Sequence, residues 1–356
     1  MGKVLLIFMS CIILSCTSAN QEVVNMTTNG ITEETNESTS DTLIITRVAS
    51  EEGRSKAFTD IIFFDNQFFL VFRDSDKHAL GEDGAIHIFN SIDGSEWTFM
   101  KEIRVQGIDL RDPSFTIQGE QLSLYIHGSK YENQEIVAFS DYNLKYSETN
   151  GWLELTDVLL DNLTVSTNTI SGNEAWPWRV NWHNDKAYSV GYNATDIFDV
   201  YESDDGLFFT KQNVFENISA LPTEARIRID DNGEFFVLVR RITGSTLLGR
   251  TFYPSEGWEW FGEIPIDNLR GPNFLLVDDH KMLFAGGLFG FVYLGLYDIE
   301  TNTYRQIIDI PSSGDGSYPG MMIQDNILWM SYYTSYENTE GSSIYVAKIN
   351  LDSLSI

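Results

Sequence analysis

Arginine is the residue type whose placement in this sequence most clearly suggests chemistry. The chain holds 23 Lys and Arg against 52 Asp and Glu, a formal net charge of −29, yet many of its arginines stand in short polar or aromatic motifs. These are Arg54, Arg73, Arg111, Arg179, Arg226, Arg240, Arg241 and Arg270. A guanidinium group presents a rigid fork of donors that matches a carboxylate or a sulfate. Arginines that converge in one pocket would select an acidic sugar, whereas arginines paired with carboxylates would only hold the fold together.

Other residues could contact the same ligand. Trp178 directly precedes Arg179, and the faces of aromatic rings pack against the C–H faces of sugars. In a chain with 13% aromatic residues, many such rings must instead belong to the core. His78 could line a pocket or be structural. The sequence contains neither an H-E-x-x-H motif nor an EF-hand loop, so we predict no metal site and no cofactor.

The charge of the chain limits its partners. A sequence pI near 4.3 argues against nucleic acid, which requires a basic face. It also argues against docking on anionic lipid through a basic patch. A hydrophobic content of 42% is too high for a disordered chain. We therefore expect a globular protein that does not bind nucleic acid.

The N-terminus resembles a bacterial lipoprotein signal peptide, predicted for residues 1–16. Lys3 precedes an apolar run from Val4 to Leu14 that is too short to cross a bilayer. The run ends in Ile13-Leu14-Ser15-Cys16, which resembles a lipobox with Cys16 as the lipidated residue; an ordinary secretory signal is the alternative. Residues 17–42, rich in Asn, Thr, Ser and Glu, are predicted to be a flexible tether. These features predict a bacterial cell-envelope protein, periplasmic or surface-exposed, held to the membrane through lipid alone.

The remainder of the chain, residues 43–356, is predicted to be all-β. Short runs of β-branched and aromatic residues, such as Phe68–Phe72 and Leu328–Tyr333, are bounded by turn residues. The pairs Asp65-Asn66 and Asp325-Asn326 are typical of hairpin turns.

A longer repeat predicts a propeller. Ser91 to Trp97 and Ser203 to Phe209 both read S-x-D-G-x-x-aromatic, and degenerate copies end at Trp152, Trp258 and Tyr304. The closing aromatic residues are 46 to 57 residues apart, a spacing typical of propeller blades. Ser and Asp can bind turn amides and Gly can adopt a positive φ, so we interpret these turns as structural. Five turns and a last strand group predict six blades, with residues 42–48 pairing with the C-terminal blade.

Several further motifs follow one another in a recognisable order. They are Arg54 with Ala57-Phe58-Thr59-Asp60, Phe72-Arg73 with His78, Asp109-Leu110-Arg111-Asp112-Pro113, Trp178-Arg179-Val180-Asn181-Trp182-His183, Thr223-Glu224-Ala225, Val239-Arg240-Arg241, Gly271-Pro272-Asn273-Phe274 and Ser317-Tyr318-Pro319-Gly320. Over residues 50–350 this order resembles the sialidase superfamily of six-bladed propellers, and more closely its bacterial branch of sialidase-like, BNR-repeat glycosyl hydrolases.

The resemblance implies roles for individual residues. Tyr318 would be the nucleophile, Glu224 the base that activates it, and Asp83, with Asp76 as second choice, the acid/base. A phenol has a pKa near 10 and needs a base within hydrogen-bond distance. The residues expected to bind substrate are Arg54, Arg240, Arg179, Arg111, Trp178, His78 and Asn273.

The sequence also departs from the sialidase pattern. Ser55-Lys56 follows Arg54 where sialidases have Ile-Pro, and Leu288 follows Gly286-Gly287 where this branch often has an arginine. The third arginine of the sialic acid carboxylate clamp therefore has no clear counterpart.

Three functions are compatible with these residues. The leading prediction is an exo-acting glycoside hydrolase, a monomer without a cofactor, for a sialylated, uronic or sulfated extracellular glycan. The first alternative is a non-catalytic carbohydrate-binding lipoprotein. The second is a polysaccharide lyase, which would use Tyr and His beside an arginine-neutralised uronate. Fold alone does not choose among them.

Overall fold

β-Strands form nearly all of the regular structure in this computed structural model, which describes residues 42–161, 175–193, 195–215, 218–338, 340–354 and 356. The predicted signal peptide with Cys16, and the tether up to residue 41, lie outside the described residues. Those described contain no α-helix, which confirms the all-β prediction. Nor do they contain a helix long and apolar enough to cross a membrane.

The strands are numbered in chain order. The first thirteen are β1 (Leu43–Ala49), β2 (Ser55–Phe64), β3 (Gln67–Ser75), β4 (Ala85–Ser91), β5 (Thr98–Ile103), β6 (Asp109–Gln118), β7 (Gln121–Glu132), β8 (Glu135–Ser147), β9 (Gly151–Trp152), β10 (Thr156–Asp161), β11 (Trp176–His183), β12 (Lys186–Tyr192) and β13 (Phe198–Ser203). The others are β14 (Phe208–Lys211), β15 (Pro222–Ile229), β16 (Phe235–Arg241), β17 (Ser245–Thr251), β18 (Glu259–Asp267), β19 (Arg270–Leu276), β20 (Lys281–Leu288), β21 (Phe291–Asp298), β22 (Thr303–Gln306), β23 (Gly316–Gln324), β24 (Ile327–Thr334) and β25 (Ser343–Asn350). A short 3-10 helix, Leu351–Ser353, follows β25.

The described strands form five sheets. Three are four-stranded meanders in the orders β2-β3-β4-β5, β15-β16-β17-β18 and β19-β20-β21-β22. A fourth has the order β1-β25-β24-β23, in which β1 pairs antiparallel with β25. This confirms the prediction that the segment following the tether pairs with the C-terminal strands. Since β1 comes from the start of the domain and β23 to β25 from its end, the two ends of the chain close one sheet.

The predicted count of six blades is not confirmed, because the described strands form five sheets. Strands β6-β7-β8-β10 and β11-β12-β13-β14 belong to one nine-stranded sheet that also contains β9. The two runs are joined because β10 and β14 pair in parallel, with Leu159 opposite Phe208.

The first strands of the antiparallel runs surround a common centre. In chain order these are β2, β6, β11, β15, β19 and β23. Each contacts the next one, and β23 contacts β2, so the series closes on itself. Apolar clusters lie between neighbouring runs; one contains Phe69, Leu110 and Leu124 from β3, β6 and β7. Side chains on the inner face of the ring therefore meet at its axis.

Local turn chemistry explains the hairpins. Asp65 and Asn66 both have positive φ, 50° and 57°, and so do Asp325 and Asn326. Two consecutive positive φ angles define the type I′ turn that matches the twist of antiparallel strands. Both predicted turns are confirmed.

The two full S-x-D-G turns have the same internal hydrogen bonds. Ser91 Oγ accepts from the Gly94 amide at 2.8 Å, and Asp93 Oδ1 accepts from the two following amides at 2.9 and 3.0 Å. Ser203 and Asp205 repeat the pattern at 2.8 to 2.9 Å. The bonds from the Glu96 and Ser95 amides lower the pKa of Asp93. These side chains are fully used within their own turns, which supports their structural interpretation.

Candidate active site

An irregularity in each strand of the ring brings side chains toward the axis. The pairing register shifts between Ala57 and Asp60, Arg111 and Ser114, Trp178 and Asn181, Pro222 and Ala225, Arg270 and Asn273, and Ser317 and Gly320. Positive φ angles occur within five of the shifts, at Phe58, Asp112, Arg179, Gly271 and Tyr318. A β-bulge re-aims the side chain it carries. The bulges thus bring side chains from separate strands of the ring to one depth along its axis.

The side chains of Tyr318 and Glu224 are in direct contact at the axis of the ring. The Tyr318 hydroxyl donates a 2.6 Å hydrogen bond to Glu224 Oε1, across 94 positions of sequence. Arg240 Nη1 donates to the same oxygen at 2.5 Å. The amide of Gly271 donates to Glu224 Oε2 at 2.7 Å. Both carboxylate oxygens of Glu224 are held by donors from other strands, so its orientation toward Tyr318 is fixed.

The surroundings of Tyr318 keep its phenol protonated. Burial and the nearby Glu224 carboxylate raise the pKa of Tyr318 well above 10. Arg240 acts in the opposite direction, but more weakly. The hydroxyl can become a nucleophile only if its proton leaves during the reaction, and Glu224 is in position to accept it.

Asp112 is a second carboxyl group at the site. Its side chain is 5% exposed, and its nearest cation is Arg111, whose Nε lies 3.9 Å from Oδ2. Neither carboxyl oxygen has a hydrogen-bond partner among the described residues. Burial, with a contribution from Glu224, raises the pKa of Asp112 to about 7, although Arg111 opposes the shift. A carboxyl group in this condition can carry a proton near neutral pH.

Arg111 packs against the Phe58 ring and lies near Asp112. Its guanidinium stacks over the Phe58 ring at 4.7 Å from the ring centre. Nη1 donates to Asp109 at 3.2 Å and to the Tyr131 hydroxyl at 3.5 Å, while Nε has no hydrogen-bond partner among the described residues. Its remaining donors could bind an anionic group close to Asp112.

The structure does not bring Asp83 to these groups. Asp83 is exposed, and its carbonyl, not its carboxylate, accepts a 3.5 Å bond from Arg104. The carboxylate of Asp76 binds the amide of Glu82 at 2.7 Å and thereby shapes the same loop. Asp112, in contrast, is buried near Glu224, which contributes to its raised pKa. Asp112 lies in the Asp109-Leu110-Arg111-Asp112-Pro113 motif, but the resemblance to sialidases did not imply a catalytic role for it.

Arg54 is occupied by protein carboxylates. Its Nε donates to Asp74 at 2.8 Å, and Nη1 lies 2.5 Å from Glu82. Buried Lys56 also binds Asp74. A substrate carboxylate would have to compete with Asp74 and Glu82 for Arg54. Arg54 is therefore less available to bind substrate than the resemblance to sialidases implied.

Arg179 and Asn273 support the backbone beneath Tyr318. Arg179 Nη1 donates to Asp60 at 2.9 Å, and Nη2 donates to the carbonyls of Thr59 and Pro319 at 3.2 and 3.5 Å. Asn273 Nδ2 also donates to the Pro319 carbonyl, at 2.9 Å. Their polar groups are directed at the protein, which makes them positioning residues for the Tyr318 bulge.

Trp178 and His78 differ in exposure and in their contacts. Trp178 is 2% exposed and packs edge-to-face against Tyr318 with ring centres 5.8 Å apart, so it forms a wall of the site. The His78 side chain is 40% exposed and its Nδ1 lies 2.9 Å from Asp315 at the rim. Of the two, His78 is the one open to a ligand.

Known structures share this architecture at low sequence identity. A protein of unknown function from Dyadobacter fermentans has a TM-score of 0.68 and 14% identity, over 87% of this chain and 99% of that one. Trypanosoma rangeli sialidase in complex with sialic acid has a TM-score of 0.63 and 12% identity, over 87% and 57% of the two chains. An endosialidase of phage phi92 has a TM-score of 0.63 and 11% identity, over 88% and 70%. No protein-family model and no curated protein matches the sequence.

These likenesses define the class of fold. The chain has a sialidase-like all-β fold, which the predicted propeller architecture fits. It spans a little over half the length of the trypanosomal sialidase. At this identity the likeness concerns fold alone, so a reaction has to be argued from the side chains at the axis.

Proposed function

We propose that this protein is a sialidase-like glycoside hydrolase with Tyr318 as its nucleophile. The observation that carries the proposal is the 2.6 Å hydrogen bond from the Tyr318 hydroxyl to Glu224. A partly buried tyrosine that donates to a buried carboxylate, itself fixed by Arg240, has the arrangement of an activated nucleophile and its base. We also propose that the six strand runs around the axis are the six blades of a propeller.

The proposed reaction proceeds in two steps. As Tyr318 Oη bonds to the anomeric carbon, its proton passes to Glu224 and the bond to the leaving oxygen breaks. Asp112 donates its proton to that oxygen. In the second step Asp112, now a carboxylate, takes a proton from water as the water oxygen attacks the anomeric carbon. The bond to Tyr318 breaks and Glu224 returns the proton to the phenol.

An acidic sugar is the proposed substrate class. Arg240 and Arg111 lie beside the reactive pair, near enough for Tyr318 to affect the pKa of each. A neutral phenol is suited to attack next to a bound carboxylate because it adds no negative charge of its own. Arg54 is engaged by Asp74 and Glu82. We therefore propose that Arg240 and Arg111 bind the acidic group of the sugar, with no three-arginine clamp.

The experiment is a hydrolysis screen of the purified chain. Aryl glycosides of sialic acid, uronic acids and neutral sugars would be tested with wild type, Tyr318→Phe and Glu224→Gln. We expect release of the aryl alcohol from an acidic glycoside, and a loss of about 10²–10⁴-fold in kcat/KM for Glu224→Gln. Tyr253→Phe, at a residue that is 66% exposed, is the matched control and should retain full activity.

Other results would select another function. Retention on a glycan affinity gel without turnover would identify a binding module and reject the hydrolase. A product that absorbs near 235 nm would identify an unsaturated uronate, and hence a lyase.

Attachment to the cell envelope through Cys16 remains a proposal based on the lipobox-like sequence. Metabolic labelling with a radioactive fatty acid in a bacterial host should label wild type and leave Cys16→Ser unlabelled. Equal labelling of both proteins would reject this anchor.

A further inference from the structure

The carbonyl group of Tyr318 lies within the bulge of β23. The register of β23 against β24 shifts between Ser317 and Gly320, so neither Tyr318 nor Pro319 has an opposite residue in β24. A bulge disrupts the hydrogen-bond ladder and leaves its extra residues unpaired. Where water is excluded, a main-chain carbonyl in this position needs a donor from another part of the chain.

Thr59, in the bulge of β2, supplies that donor. Its Oγ1 donates to the Tyr318 carbonyl at 2.9 Å, across 259 positions of sequence. Ser331 Oγ on β24 donates to Thr59 Oγ1, also at 2.9 Å, and the side chains of both residues are fully buried. A hydroxyl group has one proton to donate. Because Thr59 accepts from Ser331, its own proton is directed at the Tyr318 carbonyl.

The bulges of β2 and β23 pack directly against each other at this point. The rings of Phe58 and Tyr318 meet edge-to-face with their centres 4.7 Å apart. A Cβ on Gly320 would lie 2.6 Å from Asp60 Cα, so the two backbones are also in close contact. Thr59 lies between Phe58 and Asp60 in sequence. Its hydroxyl therefore reaches Tyr318 from a backbone that packing holds in place.

The conformation of Tyr318 makes this support necessary. Tyr318 has a φ of 51°, in the left-handed region that is unfavourable for residues other than glycine. Such a conformation persists only where the surrounding structure fixes it. Thr59 acts on the carbonyl of Tyr318 itself, whereas Arg179 and Asn273 act on the carbonyl of Pro319. Without the Thr59 bond, the peptide group that follows Tyr318 would be free to turn and the tyrosine ring would move with it.

We propose that Thr59, oriented by Ser331, is a positioning residue that holds the Tyr318 hydroxyl against Glu224. As a role in catalysis, it rests on the proposed hydrolase function. The 2.6 Å bond from Tyr318 to Glu224 joins β23 to β15, so its length depends on where the bulge of β23 lies. Misplacement of a reacting group by about 1 Å can reduce a rate by about 10²-fold. Loss of the Thr59 hydroxyl should therefore slow the reaction of bound substrate without weakening its binding.

Thr59→Val tests this role, because valine has nearly the same shape as threonine but no hydroxyl. On an acidic aryl glycoside we expect kcat to fall by about 10- to 100-fold, while KM changes by less than about twofold. Thr59→Ser keeps the hydroxyl and should restore most of the lost kcat. If Thr59→Val does not fold, Thr59→Cys, whose thiol is a weak donor, is measured in the same way and should also lose kcat.

Thr246→Val is the matched control. Thr246 is also fully buried and its Oγ1 donates to the Ile266 carbonyl at 2.9 Å, but it lies on β17, the third strand of its run. The two valine variants lose the same kind of bond and should lower the unfolding midpoint by similar amounts. Only Thr59→Val should lose kcat. Equal losses of kcat in both variants, or no recovery in Thr59→Ser, would overturn the proposal, because general loosening of the fold would then explain the effect.

Crystal structures of wild type and Thr59→Val separate this role from the hydrolase function. If wild type hydrolyses no glycoside, the proposed function fails, but the distance from Tyr318 Oη to Glu224 Oε1 still decides what Thr59 does. An increase of about 0.5 Å or more in Thr59→Val, without change in Thr246→Val, supports the positioning role. The same distance in Thr59→Val as in wild type rejects it.

Discussion

At the scale of single residues, the site depends on two carboxyl groups in different environments. Glu224 is fixed by hydrogen bonds from Arg240 at 2.5 Å and from the Gly271 amide at 2.7 Å. Asp112 has no such donors, and burial favours its protonated form. In the proposed hydrolase, Glu224 would accept the proton of Tyr318 and Asp112 would donate one to the leaving oxygen.

Replacement of Asp112 should change stability in a pH-dependent way. The pKa of Asp112 is about 7 in the folded protein and 3.8 in its unperturbed state. The stability associated with this protonation is fully present below pH 4 and is lost as pH rises through 7. Asp112→Asn, which stays neutral, should therefore have a higher unfolding free energy than wild type at pH 8. The difference should shrink toward pH 4 in urea titrations; a constant difference would contradict the burial of an ionisable group.

The same variant should alter the pH dependence of activity. Since the proposed acid is protonated only below about pH 7, wild-type kcat/KM should fall as pH rises above that value. Asp112→Asn should lose about 10²–10⁴-fold in kcat/KM on substrates with poor leaving groups. Its remaining activity should lack this alkaline decline. Asp83→Asn serves as the matched control. An equal loss of kcat/KM in Asp83→Asn would indicate that Asp83, and not Asp112, is the acid.

Residue types alone could predict part of this site. The sequence identified Tyr318, Glu224 and Arg240 by motif and order, and the structure brings their side chains together. It could not separate Asp83 from Asp112, because the difference between them is burial, which depends on neighbours distant in sequence. It could not tell which arginines face ligand, because Arg54 is engaged by acids from β3 and the adjoining loop.

At the scale of secondary-structure elements, the repeated bulges place the site. The bulge in β19 carries Gly271 at φ 56°, in contact with the bulge in β23 that carries Tyr318. A Cβ on Gly271 would lie 2.4 Å from Tyr318 Cγ. The close approach allows the Gly271 amide to bind Glu224 beside Tyr318, and only glycine permits it.

Gly271→Ala should therefore impair both stability and catalysis. The positive φ costs about 1–2 kcal/mol for alanine, and displacement of Tyr318 should add to it and lower kcat by 10-fold or more. Gly119→Ala is a matched control, with φ 57° and no heavy atom within 4 Å of its added Cβ. Urea unfolding and hydrolysis would be measured for both; similar losses would show that backbone strain alone explains the effect.

Local sequence patterns predicted most elements but not how the runs associate. The S-x-D-G turns and type I′ hairpins depend on residues within a few positions, so sequence finds them. The parallel pairing of β10 with β14 joins segments nearly 50 positions apart through backbone groups, which carry no sequence signature. This pairing is why the described strands form five sheets where six blades were predicted.

At the scale of the whole molecule, the pairing of β1 with β25 covers an edge that would otherwise be open. Leu43 lies opposite Ile349, and Ile45 opposite Ala347. The side chains of Leu43 and Ile45 both pack against the apolar cluster of the last sheet. Without β1, the outer edge of β25 would expose unpaired amides and carbonyls, a template for association between copies.

Two truncations test this closure. Removal of residues 2–49 deletes β1, while removal of residues 2–41 keeps it and is the control. Loss of two partly buried aliphatic side chains should cost about 2 kcal/mol, or about 4–8 °C in the unfolding midpoint. The shorter chain should also form dimers or aggregates on size-exclusion chromatography, because its edge strand is exposed. If both truncated chains unfold at the same temperature and stay monomeric, β1 contributes nothing to closure. The ring would then be held by contacts among its own six strands, β2, β6, β11, β15, β19 and β23, alone.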